Sequence, residues 1–220
     1  MIDNLIYVKE NAIPSDQCQE LINFFENNPK YHTQGGVARL QFSKEMEGVT
    51  YKDLGMDKIK QCTEIYFSSK NLTSWQSDPE SKKGKLFKEL AMSSGSVLKE
   101  YVDKYSFLKT LPEWDISETF KMQKYLPNEA YWSLHCENDG TIDGHCERRM
   151  LAWMVYLNDV TDDGETEFPT QEIKFKPKTG SMLIWPAYWT HPHRGIPSPT
   201  QIKYILTGWF SFPSKESLQS

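Results

Sequence analysis

From Ser117 to Phe212 the chain is cut into short runs rich in Phe, Tyr, Trp, Val and Ile by turn-forming clusters: Leu126-Pro127-Asn128, Asn138-Asp139-Gly140 and Asp162-Asp163-Gly164. Runs of about four to eight β-branched and aromatic residues bounded by Pro, Asn, Asp and Gly are too short for ordinary helices and suit strands. Strands are expected at Phe120–Tyr125, Ala130–Glu137, Met150–Asn158, Ile173–Phe175, Ser181–Trp185 and Lys203–Phe212. Their spacing predicts an antiparallel sandwich or barrel.

The helices are expected earlier. Leu5 to Val8 reads as a short strand. A helix follows Pro14, with Ser15 as its cap, Asp16 and Glu20 near its positive end, and Cys18, Leu21, Ile22 and Phe25 at i, i+3, i+4 and i+7. Asn28-Pro29 stops it. A second helical segment from Asp57 to Ser68 would place Ile59, Cys62, Ile65 and Tyr66 on one side. A third, Lys88 to Tyr105, uses Leu90, Val97, Leu98, Tyr101 and Val102, and Gly95 weakens it. The polar stretch Ser68 to Gly84, with Pro79, reads as a surface loop. The fold class is therefore mainly β with flanking helices (α+β). One domain is expected over residues 1–220: an N-terminal strand and helical support (1–116), a β core (117–213) and a tail (214–220).

Composition bounds the partners. The 220 residues are 38% apolar but 13% aromatic, so the core must be built largely from rings. A net charge of −5 argues against general nucleic-acid binding, which needs clustered Lys and Arg. No stretch approaches the ~18 apolar residues of a membrane span, and the start MIDNLIYVKEN lacks the basic and apolar segments of a signal peptide. A cytoplasmic protein without membrane contact is expected. Cys18, Cys62, Cys136 and Cys146 form no C-x-x-C pair and read as reduced thiols.

Four of the five histidines, His135, His145, His191 and His193, fall in the strand-rich half. In a strand, residues i and i+2 leave the same face, so His135 and Glu137 can converge while Cys136 points away. A second histidine from a distant strand, His191 or His193, would complete a two-histidine, one-carboxylate face with open positions opposite. The plainer alternative is a half-exposed polar strand. An echo of His-Cys-Glu at 135–137 and 145–147 also suggests zinc on His135, Cys136, His145 and Cys146. Adjacent strand residues face opposite ways, which speaks against it.

Longer motifs change the weighting. Tyr125-Leu-Pro-Asn-Glu-Ala-Tyr131-Trp-Ser-Leu-His135-Cys-Glu137 is followed by Arg148-Arg149-Met-Leu-Ala-Trp-Met-Val-Tyr156-Leu157-Asn158. Then come Gly164-Glu-Thr166-Glu-Phe168-Pro169, Pro177-Lys-Thr-Gly180-Ser-Met-Leu-Ile-Trp185-Pro186, His193-Arg-Gly-Ile-Pro197 and Lys203-Tyr-Ile-Leu-Thr-Gly208-Trp209. This ordered series resembles the 2-oxoglutarate and Fe(II)-dependent oxygenases, in the prolyl 4-hydroxylase-like branch. The closing segment is similar to oxygenases encoded by tailed phages.

The resemblance implies a double-stranded β-helix (jelly-roll) core and a dioxygenase using Fe(II), 2-oxoglutarate and O2, with ascorbate as an accessory. It implies hydroxylation of an unactivated C–H bond of a peptide, protein or small-molecule substrate, prolyl-type at the family level, releasing succinate and CO2. The metal ligands would be His135, Glu137 and His193. His193 is preferred to His191 because ten residues separate it from Lys203, the family's interval to the base that pairs with the far carboxylate of 2-oxoglutarate. Tyr125 would hydrogen-bond that carboxylate. Trp209 would wall the pocket, and Trp132, Trp153, Trp185, Tyr188 and Trp189 are candidates to line it. Two departures stand out: Glu137 where the family has Asp, and Ala152 where prolyl hydroxylases often carry Thr. A His145/Glu147 iron pair lacks the upstream Tyr-x-Pro series. A non-catalytic jelly-roll binding module with a vestigial metal site is the alternative reading.

Overall fold

The computed structural model describes residues 3–35, 58–68, 81–141 and 145–213. Ten strands and two helices are assigned among them: β1 Tyr7–Lys9, α1 Ser15–Glu26, β2 Thr33–Gln34, β3 Thr63–Ser68, α2 Lys82–Lys104, β4 Asp115–Tyr125, β5 Arg149–Tyr156, β6 Thr166–Phe168, β7 Ile173–Phe175, β8 Met182–Pro186, β9 Arg194–Gly195 and β10 Lys203–Ser211. Seven strands form one sheet in the order β1-β8-β5-β10-β4-β3-β2, and β7-β6-β9 form a second. All pairings are antiparallel. The chain is a jelly roll, mainly β with flanking helices.

Two-residue periodicity divides the large sheet between two cores. Tyr204, Leu206 and Phe210 of β10 join Phe120 and Met122 of β4 on the outer face, where Leu21, Phe24 and Phe25 of α1 and Leu86, Phe87 and Leu90 of α2 cover them. Rings dominate this layer. Phe67 stacks on Phe120 at 4.6 Å between centroids, and Phe87 lies 5.2 Å from Phe67. The opposite face carries Ile205, Trp209, Tyr125, Ala152, Met154 and Trp185, closed by Phe168 of the small sheet. Central strands buried on both sides therefore read as continuous apolar runs, not alternating ones: β5 is buried at every position after Arg149.

Several expectations need correction. The helix predicted from Asp57 to Ser68 is β3 from Thr63 onward, with Asp57 outside the described residues. Ile65 and Phe67 point into the outer core while Tyr66 is exposed, and Ile65 faces Met122 across the ladder. The i, i+3 coincidence of Ile59, Cys62 and Ile65 is overruled by β-propensity and cross-strand packing. Helix α2 starts at Lys82, six residues before the expected Lys88, because Ser81 caps it by accepting from Gly84 N at 3.0 Å. The loop expected at Ser68 to Gly84 otherwise lies outside the described residues, as does the tail 214–220. Ser15 is not a cap. Pro14 holds that position, and the Asp16 carboxylate accepts from Gln17 N instead. The remaining strands fall within a few residues of expectation, except Ala130–Glu137, treated below. No helix among the described residues is long and apolar enough to cross a membrane.

Candidate metal centre

The segment Ala130–Glu137 is not a continuous strand. It makes two isolated bridges, Tyr131 to Lys60 and His135 to His193. The second is reciprocal: His135 N donates to His193 O at 3.0 Å, and His193 N donates to His135 O at 2.8 Å. That pair brings the two imidazoles together, tilted 53° to each other with centroids 4.4 Å apart. The local i, i+2 relationship survives the irregular backbone. Glu137 Oε1 lies 3.7 Å from His135 Nε2 and 3.4 Å from His193 Nε2. Ligating atoms of these three residues all lie within 4.8 Å of one another.

Hydrogen bonds fix how the rings present themselves. His135 Nδ1 is 2.9 Å from Ser133 O, and His193 Nδ1 is 3.1 Å from His191 O. A carbonyl only accepts, so each Nδ1 carries the proton, and in the neutral ring each Nε2 turns a lone pair inward. Two lone pairs and a carboxylate facing one point repel unless a cation lies between them. The donor set, two imidazoles and one carboxylate on one face, fits a non-haem ferrous ion. Tyr131 stacks on His135 at 3.6 Å, and Phe168 and Trp185 flank His193 at 5.2 and 5.1 Å, so both rings are locked by packing. Burial pushes the His135 pKa down and the neighbouring His193 adds to it, outweighing the upward pull of Glu137.

Glu137 has a dedicated partner. Trp209 Nε1 donates to its Oε2 at 2.8 Å, and the Arg149 guanidinium lies 3.7 Å over the Trp209 ring while donating to the Glu137 carbonyl at 3.0 Å. Burial alone would raise the Glu137 carboxyl. The two imidazoles beside it prevail and hold it well below the usual carboxylate range. The longer side chain is thus supported at its tip by an indole. Trp209 was expected to wall the pocket; it also orients the carboxylate. Nothing in the motif spacing pointed to Arg149.

The cavity beyond this cluster has a volume of about 540 Å³. Lys203 and Tyr125 line it as a cross-strand pair, with Lys203 Nζ 5.1 Å from the Tyr125 ring. Lys203 is 4% exposed and donates to Gly164 O at 2.9 Å; burial pushes its pKa down to about 8. The Tyr125 hydroxyl donates to Gln123 Oε1 at 3.0 Å, and burial drives its pKa far up. His191 faces away from the cluster. Its Nδ1 meets Thr190 Oγ1 and its Nε2 donates to Asn4 O at 2.8 Å. Trp185 and Trp189 line the cavity, whereas Trp153 belongs to the outer core and Trp132 and Tyr188 are not among the lining residues. Ala152 stands in register between Trp209 and Trp185, a methyl where two indoles converge.

The zinc alternative fails on placement. Cys136 donates its thiol to Asn138 O, His145 contacts Arg148, and among the described residues only His135, Glu137 and His193 form a cluster of this kind. His145 and Glu147 likewise stay apart from the cavity centre, at the edge of a 3-10 turn over Cys146–Arg148. A set of polar residues that the motifs did not single out also faces the cavity: Lys60, Lys121 and Gln123. Counting back by twos from Tyr125 along β4 would have found the last two.

The model of the 2OG-Fe(II) oxygenase superfamily matches residues 120–211. A curated protein of Acanthamoeba polyphaga mimivirus, named "Putative prolyl 4-hydroxylase", is 34% identical over 111 residues, covering 44% of this chain and 46% of its own length. The chain thus spans about half of that relative. Among solved structures, the viral collagen prolyl hydroxylase of Paramecium Bursaria Chlorella virus-1, in complex with 2OG, superposes with a TM-score of 0.62 at 17% identity, over 94% of this chain and 95% of that one. The Trichoplax adhaerens prolyl hydroxylase, in complex with a hypoxia inducible factor peptide fragment, gives 0.65 at 14% identity, over 99% and 88%. At these identities the superpositions speak for the fold. The family match runs from strand β4 through β10 and takes in His135, Glu137 and His193, so this stretch of the chain is similar to the 2OG-Fe(II) oxygenase superfamily, and its fold to that of prolyl hydroxylases.

Proposed function

We propose that this protein is a 2-oxoglutarate-dependent dioxygenase that hydroxylates an unactivated C–H bond, with a peptidyl, prolyl-type residue as the family-level substrate. The observation that carries the reading is the convergence of His135 Nε2, Glu137 Oε1 and His193 Nε2, with both Nδ1 protons committed to backbone carbonyls. His135, Glu137 and His193 would hold Fe(II) on one face. When bound, the ferrous ion supplies the oxidative chemistry in which O2 and 2-oxoglutarate give succinate, CO2 and a hydroxylated product.

The remaining steps belong to the chain's own residues. Lys203 pairs its ammonium with the far carboxylate of 2-oxoglutarate, and Tyr125 turns its hydroxyl to the same oxygens. Trp209 holds Glu137 in place, and Arg149, stacked on that indole, keeps it from turning. Trp185 and Ile205 give the cavity apolar walls, with Phe168 packed against Trp185. Residues 1–116 support the core as part of a single domain in this reading. A cytoplasmic setting is supported by the four free cysteines.

Anaerobic titration of the protein with Fe(II) and 2-oxoglutarate tests the proposal through the weak visible charge-transfer band of the chelate. His135→Ala and His193→Ala should each abolish the band, and Lys203→Ala should chiefly weaken 2-oxoglutarate binding. Loss of the band in His191→Ala with its retention in His193→Ala would overturn the ligand assignment. Succinate formation under air separates an oxygenase from a binding module of the same fold.

A further inference from the structure

The cavity has a second cationic pole that the chemistry above does not use. Gln123 and Lys121 share the face of Tyr125 on β4, opposite Ile205 and Thr207 of β10. Behind them the buried carboxylate of Glu64 places Oε2 3.2 Å from Lys60 Nζ and 3.0 Å from Gln123 Nε2. Lys121 reaches the other oxygen, at 3.4 Å. That is longer than the ~2.7–2.9 Å of a good charge-assisted hydrogen bond. One carboxylate is therefore divided between two ammonium groups. Burial lowers the Lys121 pKa, the neighbouring Lys60 lowers it further, and Glu64 only partly restores it.

Position decides what such a cation can do. Lys121 stands against Thr207, two residues from the Trp209 that holds Glu137, whereas Lys203 stands against Tyr125. Tyr125, the cross-strand partner of Lys203, is four residues from Lys121 along β4, roughly 13 Å. By register Lys121 thus lies nearer than Lys203 to the Trp209 end of the cavity, the end that reaches the metal centre and that the carbon to be hydroxylated must approach. A prolyl ring flanked by neutral residues has no use for an ammonium on that wall, and Glu64, shared with Lys60, offsets the cost of burying it only in part.

Building on the hydroxylase reading, we infer that Lys121 is a specificity-determining residue that receives a carboxylate carried by the substrate next to the carbon attacked. The carboxylate is either an acidic side chain flanking the target residue or the free carboxylate of an amino acid. Glu64, Gln123 and Lys60 position Lys121 and keep its ammonium turned toward the cavity.

The test uses the full chain loaded anaerobically with Fe(II) and 2-oxoglutarate. The probes are acetylated, amidated tetrapeptides with Glu or Gln on either side of a proline, together with free L-proline and L-prolinamide. Affinity is read by calorimetry and by perturbation of the chelate band. A charged hydrogen bond of ordinary strength predicts about tenfold tighter binding of the carboxylate-bearing member of one pair. The peptide pairs winning assigns an acidic side chain, and L-proline winning assigns a free carboxylate. Lys121→Met should reduce the preference to about twofold or less, and Lys121→Arg should keep it. A role in folding alone would shift the melting transition of both variants and leave the preference intact.

Equal binding of both members of every pair, or binding of none, overturns the inference. So does a Lys121→Met protein whose affinity for 2-oxoglutarate falls, because Lys121 would then serve the cosubstrate. A wild-type protein that shows no chelate band fails the oxygenase reading itself, whatever the peptides do.

Discussion

The indole Nε1 of Trp209 donates to Glu137 Oε2 at 2.8 Å, joining the end of strand β10 to the carboxylate of the three-residue cluster. Partners of metal-ligating side chains commonly govern affinity by about 10- to 100-fold. Trp209→Phe keeps a ring beneath Arg149 but removes the donor. It should weaken Fe(II) or Mn(II) binding by roughly tenfold with little change in thermal stability, as measured by metal titration and calorimetric melting.

Glu137→Asp installs the residue that related enzymes usually carry. Here it withdraws the carboxylate by about one bond length, ~1.5 Å, from the indole N–H and from both imidazole Nε2 atoms. The expected outcome is metal affinity about tenfold weaker, not stronger. Equal or tighter binding would mean that the backbone at 137 accommodates either length.

If Lys203 pairs with 2-oxoglutarate as proposed, its pKa near 8 makes cosubstrate binding depend on pH. A carboxylate partner requires the ammonium form. Affinity for 2-oxoglutarate should therefore be constant well below pH 8 and fall by up to about tenfold per unit above it, until the pKa of the occupied site is reached. Dissociation constants measured anaerobically from about pH 6.5 to 9 check this, and Lys203→Met should remove the dependence along with most of the affinity.

Gly180 fixes the turn into β8. Its φ is +75°, its N–H donates to Tyr156 O at 2.8 Å, and a Cβ there would run into the carbonyl of Ile13, whose own N–H donates to Gly180 O. Gly180→Ala adds backbone strain and a clash with main chain that cannot rotate away. A loss of about 1–3 kcal/mol in urea denaturation is expected.

Much of this was legible in the sequence because short-range rules applied. The i, i+2 geometry at His135 and Glu137 put both side chains on one side even though their segment forms only isolated bridges. Turn clusters marked the strand ends: Asn128, Asp163 and Gly164 all adopt positive φ. What the sequence hid was tertiary. Residues 63–68 carry a pattern that a helix or a strand could satisfy, and only pairing with Met122 and Phe120 decides it. The bond from Trp209 to Glu137 spans 72 residues, and the sharing of Glu64 between Lys60 and Lys121 depends on β3 lying beside β4. Neither leaves a local signature.

His191 lies outside the three-residue cluster, yet it ties two distant parts of the chain. Its ring holds the carbonyl of Asn4 while its own carbonyl receives the Nδ1 proton of His193. The first turns of the polypeptide are thus moored, through one imidazole, to the loop that aims a cluster histidine. A change that displaced the Asn4 carbonyl would therefore be felt at His193, at the other end of that line.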